Sequence, residues 1–320
     1  MKIGIIDSRS NCYVTDPGIE QAIFDGVGEV TLIRVDSTDD LPSAAFRCDG
    51  LISWHLVPLC RHFLQDLRHC KGIVRAAVGF DNIDLAAAAE RGIQIANVPD
   101  YGTEEVADHA VALALSLLRR LLRCHRVVTG GSWDWREAGK LPRLSQMRIG
   151  IIGFGRIGIA AALRFKAFGC QVAFYDPLVS SGVEKSLGVN RYDSLDDPLN
   201  GTELVSLHAP LDETTRHMIG AHELDLLKGK YLVNTARGGL IDGVALCRAL
   251  EGEQLCGVGL DVYEDERHVI PNAFQNHDNV ILSPHVAFYS EAALLELRRK
   301  AASVLRDILK NGGHRNVIRQ

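Results

Sequence analysis

Three observations predict an α/β protein built from two doubly wound, parallel-sheet units. Short apolar, β-rich runs alternate with runs of helical periodicity along the whole chain. After Pro99 one long apolar helical stretch interrupts that rhythm, which then restarts. The 320 residues exceed an average domain and suit two.

In chain order, "KIGIID", "EVTLIRV", "GLISW" and "GIVRAAV" read as strands, with helix-like "DPGIEQAIFDGV" and "CRHFLQDLRH" between them. The second series of strands is "RIGIIGFG", "QVAFYD", "LVSLHAP", "YLVNTA", "GVGLDV" and "NVILSPH". Between these, "RIGIAAALRFKAF", "AHELDLL" and "DGVALCRALEGE" carry helical periodicity. The last stretch, "SEAALLELRRKAASVLRDILKNGG", is a helix ending in glycines. It has no strand after it and is expected to pack back on the first unit. The expected domains are therefore 1–98 plus 286–320, discontinuous, and 99–285. Crossings near Pro99 and His285 are predicted to form a hinge with a ligand cleft beyond the strand ends.

Hydrophobic content of 47% and charged content of 23% describe an ordinary globular protein. A formal charge of −5 argues against nucleic acid as a partner. Cysteines stand at 12, 48, 60, 70, 124, 170, 247 and 256, with no CxxC pair and no metal-like spacing. Reduced thiols in a cytoplasmic protein without a metal site follow from that pattern. "MKIGIID" starts a strand at once, so no targeting segment is expected. In "EEVADHAVALALSLLRRLLRC" the uncharged core, Ala110 to Leu118, falls short of the roughly 20 residues needed to cross a bilayer. A helix apolar nearly all round is read as a subunit contact, a dimerisation helix near 102–124. Arg119, Arg123 and Arg126 form a basic stripe at helical spacing, read as a solvated or salt-bridged face, with phosphate binding as the other option.

"RIGIIGFGRIG" holds Gly153, Gly155 and Gly158 in GxGxxG spacing, after an apolar strand and at the opening of an amphipathic helix. That context predicts a dinucleotide pyrophosphate on the helix N-terminus, with Phe154, Arg156 and Ile157 in the same turn. Asp176 ends "QVAFYD", 23 residues after Gly153, where a carboxylate accepts from both ribose hydroxyls and repels a 2′-phosphate. No cation follows at once in "DPLVSSGVEK", so NAD is expected rather than NADP; a strand-end Asp capping a turn is the structural alternative.

Arg237 follows one strand, Asp261 and Glu266 another, and His285 the last. Each has an ordinary alternative: a loop ion pair, a surface charge, a strand cap. Together, beside a nucleotide fingerprint, they fit reduction of a 2-oxo acid. Hydride reaching a carbonyl carbon leaves charge on oxygen, which needs a proton donor and a nearby cation. His285 can donate, Glu266 can hold its tautomer, and the forked donors of Arg237 can hold a carboxylate and polarise the carbonyl.

The stretches "VGFDNID", "IGIIGFGRIG", "FYDP", "NTARGGLID", "LDVYEDE" and "SPHVAFYS" carry a resemblance. Over nearly its whole length the chain is similar to the D-2-hydroxyacid dehydrogenase family, closest to its C-terminal-binding protein branch. The resemblance implies flavodoxin-like and Rossmann domains, the first binding substrate and the second NAD, in a homodimer built on the long helix. It places the family's Arg–Glu–His trio on Arg237, Glu266 and His285. It implies substrate-binding roles for the backbone at Val78 and Gly79, for His55 and Phe288, and for Arg75, where a structural ion pair is the alternative. His208, Ala209 and Thr214 in "HAPLDETT", with Thr235, Ala236 and Asp261, are implied to lie along the cofactor.

Three departures from the family pattern bear on specificity. Ala77 stands where many relatives have glycine, Arg267 where they have proline, and Phe288 where the corepressor branch has tryptophan. Glu266 counts against formate, whose oxidising branch pairs glutamine with histidine. Two functions are carried forward: an NAD-dependent reductase of a small 2-oxo or D-2-hydroxy acid, and an NAD(H)-sensing scaffold of the corepressor type. A sugar or polyol dehydrogenase is set aside, because neither Tyr231 nor Tyr263 precedes a lysine in Tyr-xxx-Lys spacing.

Overall fold

The computed structural model describes residues 1–264, 271–275, 277 and 279–318. The chain folds as two units, residues 1–102 with 290–320, and 103–289.

The first unit begins β1 (Lys2–Asp7), α1 (Gly18–Ile23), β2 (Glu29–Arg34), β3 (Gly50–Ser53), α2 (Arg61–Asp66), β4 (Gly72–Arg75), α3 (Leu85–Glu90) and β5 (Gln94–Asn97). Its sheet is parallel, in the order β2-β1-β3-β4-β5. Every residue of β3 and β4 is buried, as in a strand covered on both faces. The "LAAAAE" and "QIAN" elements go unread in the sequence, because six residues of mostly alanine show no amphipathic period and four residues make too short an apolar run.

The second unit opens with α4 (Thr103–Leu118) and α5 (Leu121–Thr129). It continues β6 (Arg148–Ile152), α6 (Arg156–Ala167), β7 (Gln171–Tyr175), α7 (Val183–Leu187), β8 (Asn190–Tyr192), α8 (Asp196–Gly201) and β9 (Leu204–Leu207). Then come α9 (Ala221–Leu226), β10 (Tyr231–Asn234), α10 (Gly243–Glu251), β11 (Gly257–Leu260), α11 (Asn272–Gln275) and β12 (Val280–Leu282). Seven parallel strands lie in the order β12-β11-β10-β9-β6-β7-β8. Both units are thus doubly wound parallel α/β folds.

The long apolar helix is two helices. Arg120 takes a left-handed conformation at φ 50° and ends α4, while its guanidinium and that of Arg123 donate to the carbonyls of Ala138 and Glu137. Continuous helical periodicity across the junction hides this break in the sequence, and it leaves Arg119 in the junction while Arg123 and Arg126 lie on α5. Val106, Ala110, Leu113, Ala114 and Leu117 of α4 are buried within their own unit, where α4 packs on α6, β10 and β11. The unburied apolar side chains lie further on: Leu121, Leu122, Val128, Trp133 and Trp135 are exposed. Among the described residues, no helix is long and apolar enough to cross a membrane.

The chain returns to the first unit through α12 (Glu291–Asn311), capped by Ser290, whose hydroxyl accepts from the Ala293 amide. Its buried face, Leu297, Ala301, Val304, Leu305 and Ile308, covers β3, β4 and β5. Gly50 and Gly72 admit that close approach, since a Cβ on either would lie 2.9 Å or 2.6 Å from Leu305 or Ile308. Arg298 fixes the helix to α1 with two bonds to the buried Glu20 carboxylate, at 2.7 and 2.6 Å. Removing one partner of a buried, bidentate pair strands the other charge, which costs about 3 kcal/mol or more. Arg298→Met should lower the urea unfolding midpoint accordingly, and Glu20→Leu/Arg298→Met together should recover most of the loss. Equal losses in the single and double variants would show that the ion pair does not anchor α12.

Candidate active site

All seven strands of the second unit run the same way, so the loops after β6, β7, β9, β10, β11 and β12 leave one edge of the sheet. The strand order reverses beside β6, the position at which doubly wound sheets bind ligands.

The glycine turn follows β6. Gly153 has φ 88°, and a Cβ there would lie 2.5 Å from the Ala209 amide nitrogen, so the residue both makes the turn and lets the His208–Ala209 backbone approach. A Cβ on Gly158 would stand 2.1 Å from the Gly153 carbonyl, whereas one on Gly155 would meet nothing within 4 Å. The turn is thus closed on its protein side and open at Gly155, before the first turn of α6, as a bound pyrophosphate requires. The Phe154 ring is buried and stacked on Phe174 at 3.8 Å, leaving its backbone to serve the site. That amide donates to Asp176 Oδ2 at 2.7 Å, and the Leu178 amide donates to Oδ1 at 2.9 Å. Asp176, half-buried after β7, is therefore held against the glycine turn, where it can accept from a ribose. Arg191, not singled out in the sequence, lies over Phe174 and donates to the carbonyls of Val179 and Asp176, fixing the loop that follows.

After β9, His208 shares a hydrogen bond of 2.9 Å between Nε2 and Ser206 Oγ, and its Nδ1 is buried without a partner. Burial pushes the imidazole down to about 4. Thr214, further along this loop, is exposed, and its hydroxyl donates to Asp212 at 2.7 Å. After β10, Thr235 is buried and its Oγ1 has no partner. Asn234 shapes the following turn, accepting from the Ala236 amide and donating to the Arg237 carbonyl. The half-buried Arg237 side chain donates to the Ala236 carbonyl at 2.8 Å. The unpartnered atoms of His208 and Thr235 stand beyond adjacent strands, so the unit offers polar groups to a ligand there. With the open glycine turn, these residues fit a dinucleotide.

His285 follows β12 with φ 51°, a left-handed conformation rare for a side-chain-bearing residue. Asp261, buried after β11, holds it there. Its carboxylate accepts from Ser283 Oγ at 2.5 Å, the Val286 amide at 2.9 Å and the Ala287 amide at 2.9 Å. Its carbonyl accepts from the His285 amide at 2.8 Å. His109 of α4 completes the cluster, with Nε2 2.8 Å from Ser283 Oγ. The sequence pointed to Asp261 as a cofactor contact but did not show this clamp, nor the parts of Ser283 and His109. Phe288 meets the His285 ring edge-on, with centroids 6.4 Å apart. Since β10, β11 and β12 are neighbours, Arg237, Asp261 and His285 follow adjacent strands. Glu266 and Arg267 lie outside the described residues.

In the first unit, Arg75 ends β4 and is buried, donating to Asn82 Oδ1 at 2.9 Å and the Ala76 carbonyl at 3.1 Å. Asn82 in turn reaches the carbonyls of His55 and Val57. The loop between them is pinned from the β5 side, where the Val98 amide donates to Ala77 and Asn97 Nδ2 donates to Val78. Among the described residues the Val78 and Gly79 amides find no acceptor, which leaves them for an anion. Ala77 is not at positive φ, so its methyl is accommodated without backbone strain. Tyr13, also missed in the sequence, stacks on the buried Trp54 at 4.9 Å, and its hydroxyl lies 3.2 Å from His55 Nδ1. Asp7 holds the loop that carries Tyr13, accepting from the amides of Ser8, Tyr13 and Val14, while burial pushes its carboxyl up.

The His208 environment makes the second unit sensitive to acid. Below the ordinary value of 6.5 the unfolded chain binds a proton that the folded imidazole refuses until about pH 4. This contribution to stability is complete above 6.5 and is lost as pH falls through that window. Thermal unfolding from about pH 7.5 to about 4.5 should therefore decline less steeply in His208→Asn than in the parent. Parallel slopes would dismiss the buried imidazole as the cause.

Comparison with known proteins shows the family and the fold. Residues 111–287, within the second unit, match the family model for the NAD binding domain of D-isomer specific 2-hydroxyacid dehydrogenases. The chain is 38% identical over 266 residues to a glyoxylate reductase of Korarchaeum cryptofilum, covering 82% of this chain and 79% of that protein. It is 34% identical over 308 residues to a D-3-phosphoglycerate dehydrogenase of Methanocaldococcus jannaschii, covering 95% of this chain but 58% of that longer relative. A D-lactate dehydrogenase of Aquifex aeolicus, crystallised with NAD and lactic acid, superposes with a TM-score of 0.85 at 29% identity, covering 97% of this chain and 96% of that one. The chain belongs to the D-isomer specific 2-hydroxyacid dehydrogenase family.

Proposed function

We propose that the protein is an NAD-dependent oxidoreductase that interconverts a small 2-oxo acid and its D-2-hydroxy acid. The observation that carries this reading is the Asp261 clamp, which fixes an imidazole beside a strand end bearing an arginine, in the unit that carries the NAD binding domain. In this reading the first unit is the substrate-binding domain and the second the cofactor domain.

Bound NADH supplies the hydride, and NAD accepts it in the reverse direction. The chain's own residues do the rest. Asp176 accepts from the adenosine ribose, and Gly155 and the start of α6 receive the pyrophosphate. The Val78 and Gly79 amides hold the acid's carboxylate, and Arg75 with Asn82 keeps that loop in shape. Arg237 places positive charge beside the carbonyl oxygen. Protonated His285 gives that oxygen its proton, and neutral His285 takes the hydroxyl proton in oxidation. Glu266 is proposed as the partner of His285 on the strength of the sequence. Tyr13, Trp54, His55 and Phe288 are proposed to shape the pocket for the substrate's side chain.

The names of the relatives favour a short acid, since those names specify glyoxylate, lactate or 3-phosphoglycerate. They also favour catalysis over a sensing scaffold. The likeness to the C-terminal-binding protein branch rests on the sequence stretches alone. Eight free thiols suit a reducing compartment, and the cytoplasm is the proposed location. A homodimer is proposed through the face of α5 and the segment after it, where Trp133 and Trp135 are 89% and 84% exposed. Two such rings so close in sequence are a costly solvent-facing surface unless a partner covers them.

Two experiments test these readings. In NADH oxidation with a panel of 2-oxo acids, His285→Ala and Arg237→Ala should each lower kcat/KM by roughly a hundredfold or more. Turnover that survives both substitutions would end the assignment. Light scattering should report a dimer for the parent and a monomer for Trp133→Ser/Trp135→Ser with unchanged circular dichroism; a monomeric parent, or a variant that still dimerises, would refute the interface.

A further inference from the structure

An ionisable ring sits where α4 otherwise buries apolar side chains. His109 comes three residues after the buried Val106 and four before the buried Leu113, which places it on the same helix face. That face lies close on the sheet, since a Cβ on Gly259 of β11 would stand 3.1 Å from the Leu113 Cβ. The half-buried imidazole puts Nε2 2.8 Å from Ser283 Oγ and 3.6 Å from Asp261 Oδ1. A serine hydroxyl has one proton to give, and that of Ser283 goes to Asp261 Oδ1 at 2.5 Å. Ser283 Oγ therefore accepts from His109, whose Nε2 must carry the hydrogen. Bonds thus run from α4 through Ser283 to the buried carboxylate that holds the loop of His285.

The link joins two particular segments. Helix α4 opens at Thr103, where the chain enters the second unit, and Ser283 to Tyr289 is the last stretch before it leaves. The His109–Ser283 bond therefore ties the first helix of the unit to its last loop, across 174 positions. Within that loop His285 holds a left-handed backbone at φ 51°, so the loop depends on the polar contacts that keep it there. Without a donor on its acceptor side, the Ser283 hydroxyl is free to turn to another staggered position, and Asp261 then loses one of its three donors from the loop.

We propose that His109 is a positioning residue for proton transfer at His285, acting through Ser283 and Asp261. Its Nε2–H holds the Ser283 hydroxyl in the rotamer that donates to Asp261. Asp261 in turn keeps the Val286 and Ala287 amides in place, and with them the turn that carries His285. In this role His109 acts only through the loop. The inference rests on the proposed dehydrogenase reading, in which His285 moves the proton.

Side-chain chemistry separates positioning from packing, because glutamine can offer an N–H near the place of Nε2 and leucine cannot. With a 2-oxo acid and saturating NADH, His109→Leu should lower kcat and kcat/KM together by about tenfold or more, with KM unchanged. His109→Gln should recover most of that loss. Ser283→Ala should lose at least as much as His109→Leu, and the double variant His109→Leu/Ser283→Ala should be no slower than Ser283→Ala alone. Circular dichroism identifies the folded variants, and Ser283→Ala, which removes a single oxygen, tests the same link should His109→Leu fail to fold. Equal losses in His109→Leu and His109→Gln, an effect confined to KM, or additive losses in the double variant would overturn the proposal. NMR of ring-labelled histidines gives a readout that needs no turnover. His109 should show hydrogen on Nε2, and the His285 signals should move in His109→Leu and much less in His109→Gln. His285 signals indifferent to His109→Leu would also overturn the proposal. Absence of turnover with every oxo acid, beside the expected NMR shifts, would count against the dehydrogenase reading alone.

Discussion

The buried carboxylate of Asp261 is the constraint on which the catalytic edge of the second unit depends. A carboxylate removed from water must be met by donors, and here three hydrogen bonds come from one short segment after β12, with His109 Nε2 of α4 3.6 Å away. Satisfying Asp261 therefore fixes the backbone at Ser283, Val286 and Ala287 together. The left-handed backbone of His285, which costs on the order of 1–2 kcal/mol, is offset by these charge-assisted bonds. The imidazole is thus placed by its main chain. This makes Asp261 a positioning residue, acting through the loop.

The first unit uses the same device with different residues. Asp7 accepts three amides at the end of β1, and the buried Arg75 and Asn82 tie the ends of β3 and β4 to the loop between them. Uniformly apolar parallel strands carry little to distinguish one strand end from another. A buried polar group at the strand end supplies that distinction, because its loop has one arrangement that leaves no donor or acceptor stranded. Loop rigidity here comes from polar satisfaction more than from packing.

That distinction also explains what could be read from the chain. Strands such as "RIGII" and "YLVN" are legible because burial on both faces demands apolar runs, and the glycine turn because backbone contacts allow no Cβ at Gly158. The end of α4 was not legible, since Arg120 breaks the helix through contacts with Ala138 that local periodicity does not register. Tyr13, Asn82, His109 and Ser283 were missed for a related reason. Each acts through a partner remote in sequence, and no spacing rule links Ser283 to His109 across 174 positions. Asp261 stood out as a charged residue at a strand end, but its task is visible only where β11 and β12 lie side by side.

The unpartnered atoms of His208 and Thr235 are the other side of polar satisfaction. Among the described residues of this unit no other buried side-chain donor or acceptor lacks a partner, so two exceptions beyond neighbouring strands β9 and β10 call for a cause. Each costs about 1–3 kcal/mol when left unmet in the folded protein. A core would relieve that cost with apolar side chains, whereas a binding site retains it, because the ligand supplies the missing partner. Bound dinucleotide would then stabilise the second unit through the same groups that destabilise it alone, and its binding would be coupled to the unit's stability. The neutral His208 imidazole suits such a role, since burial keeps it uncharged and able to offer Nδ1 as donor or acceptor according to what the ligand presents.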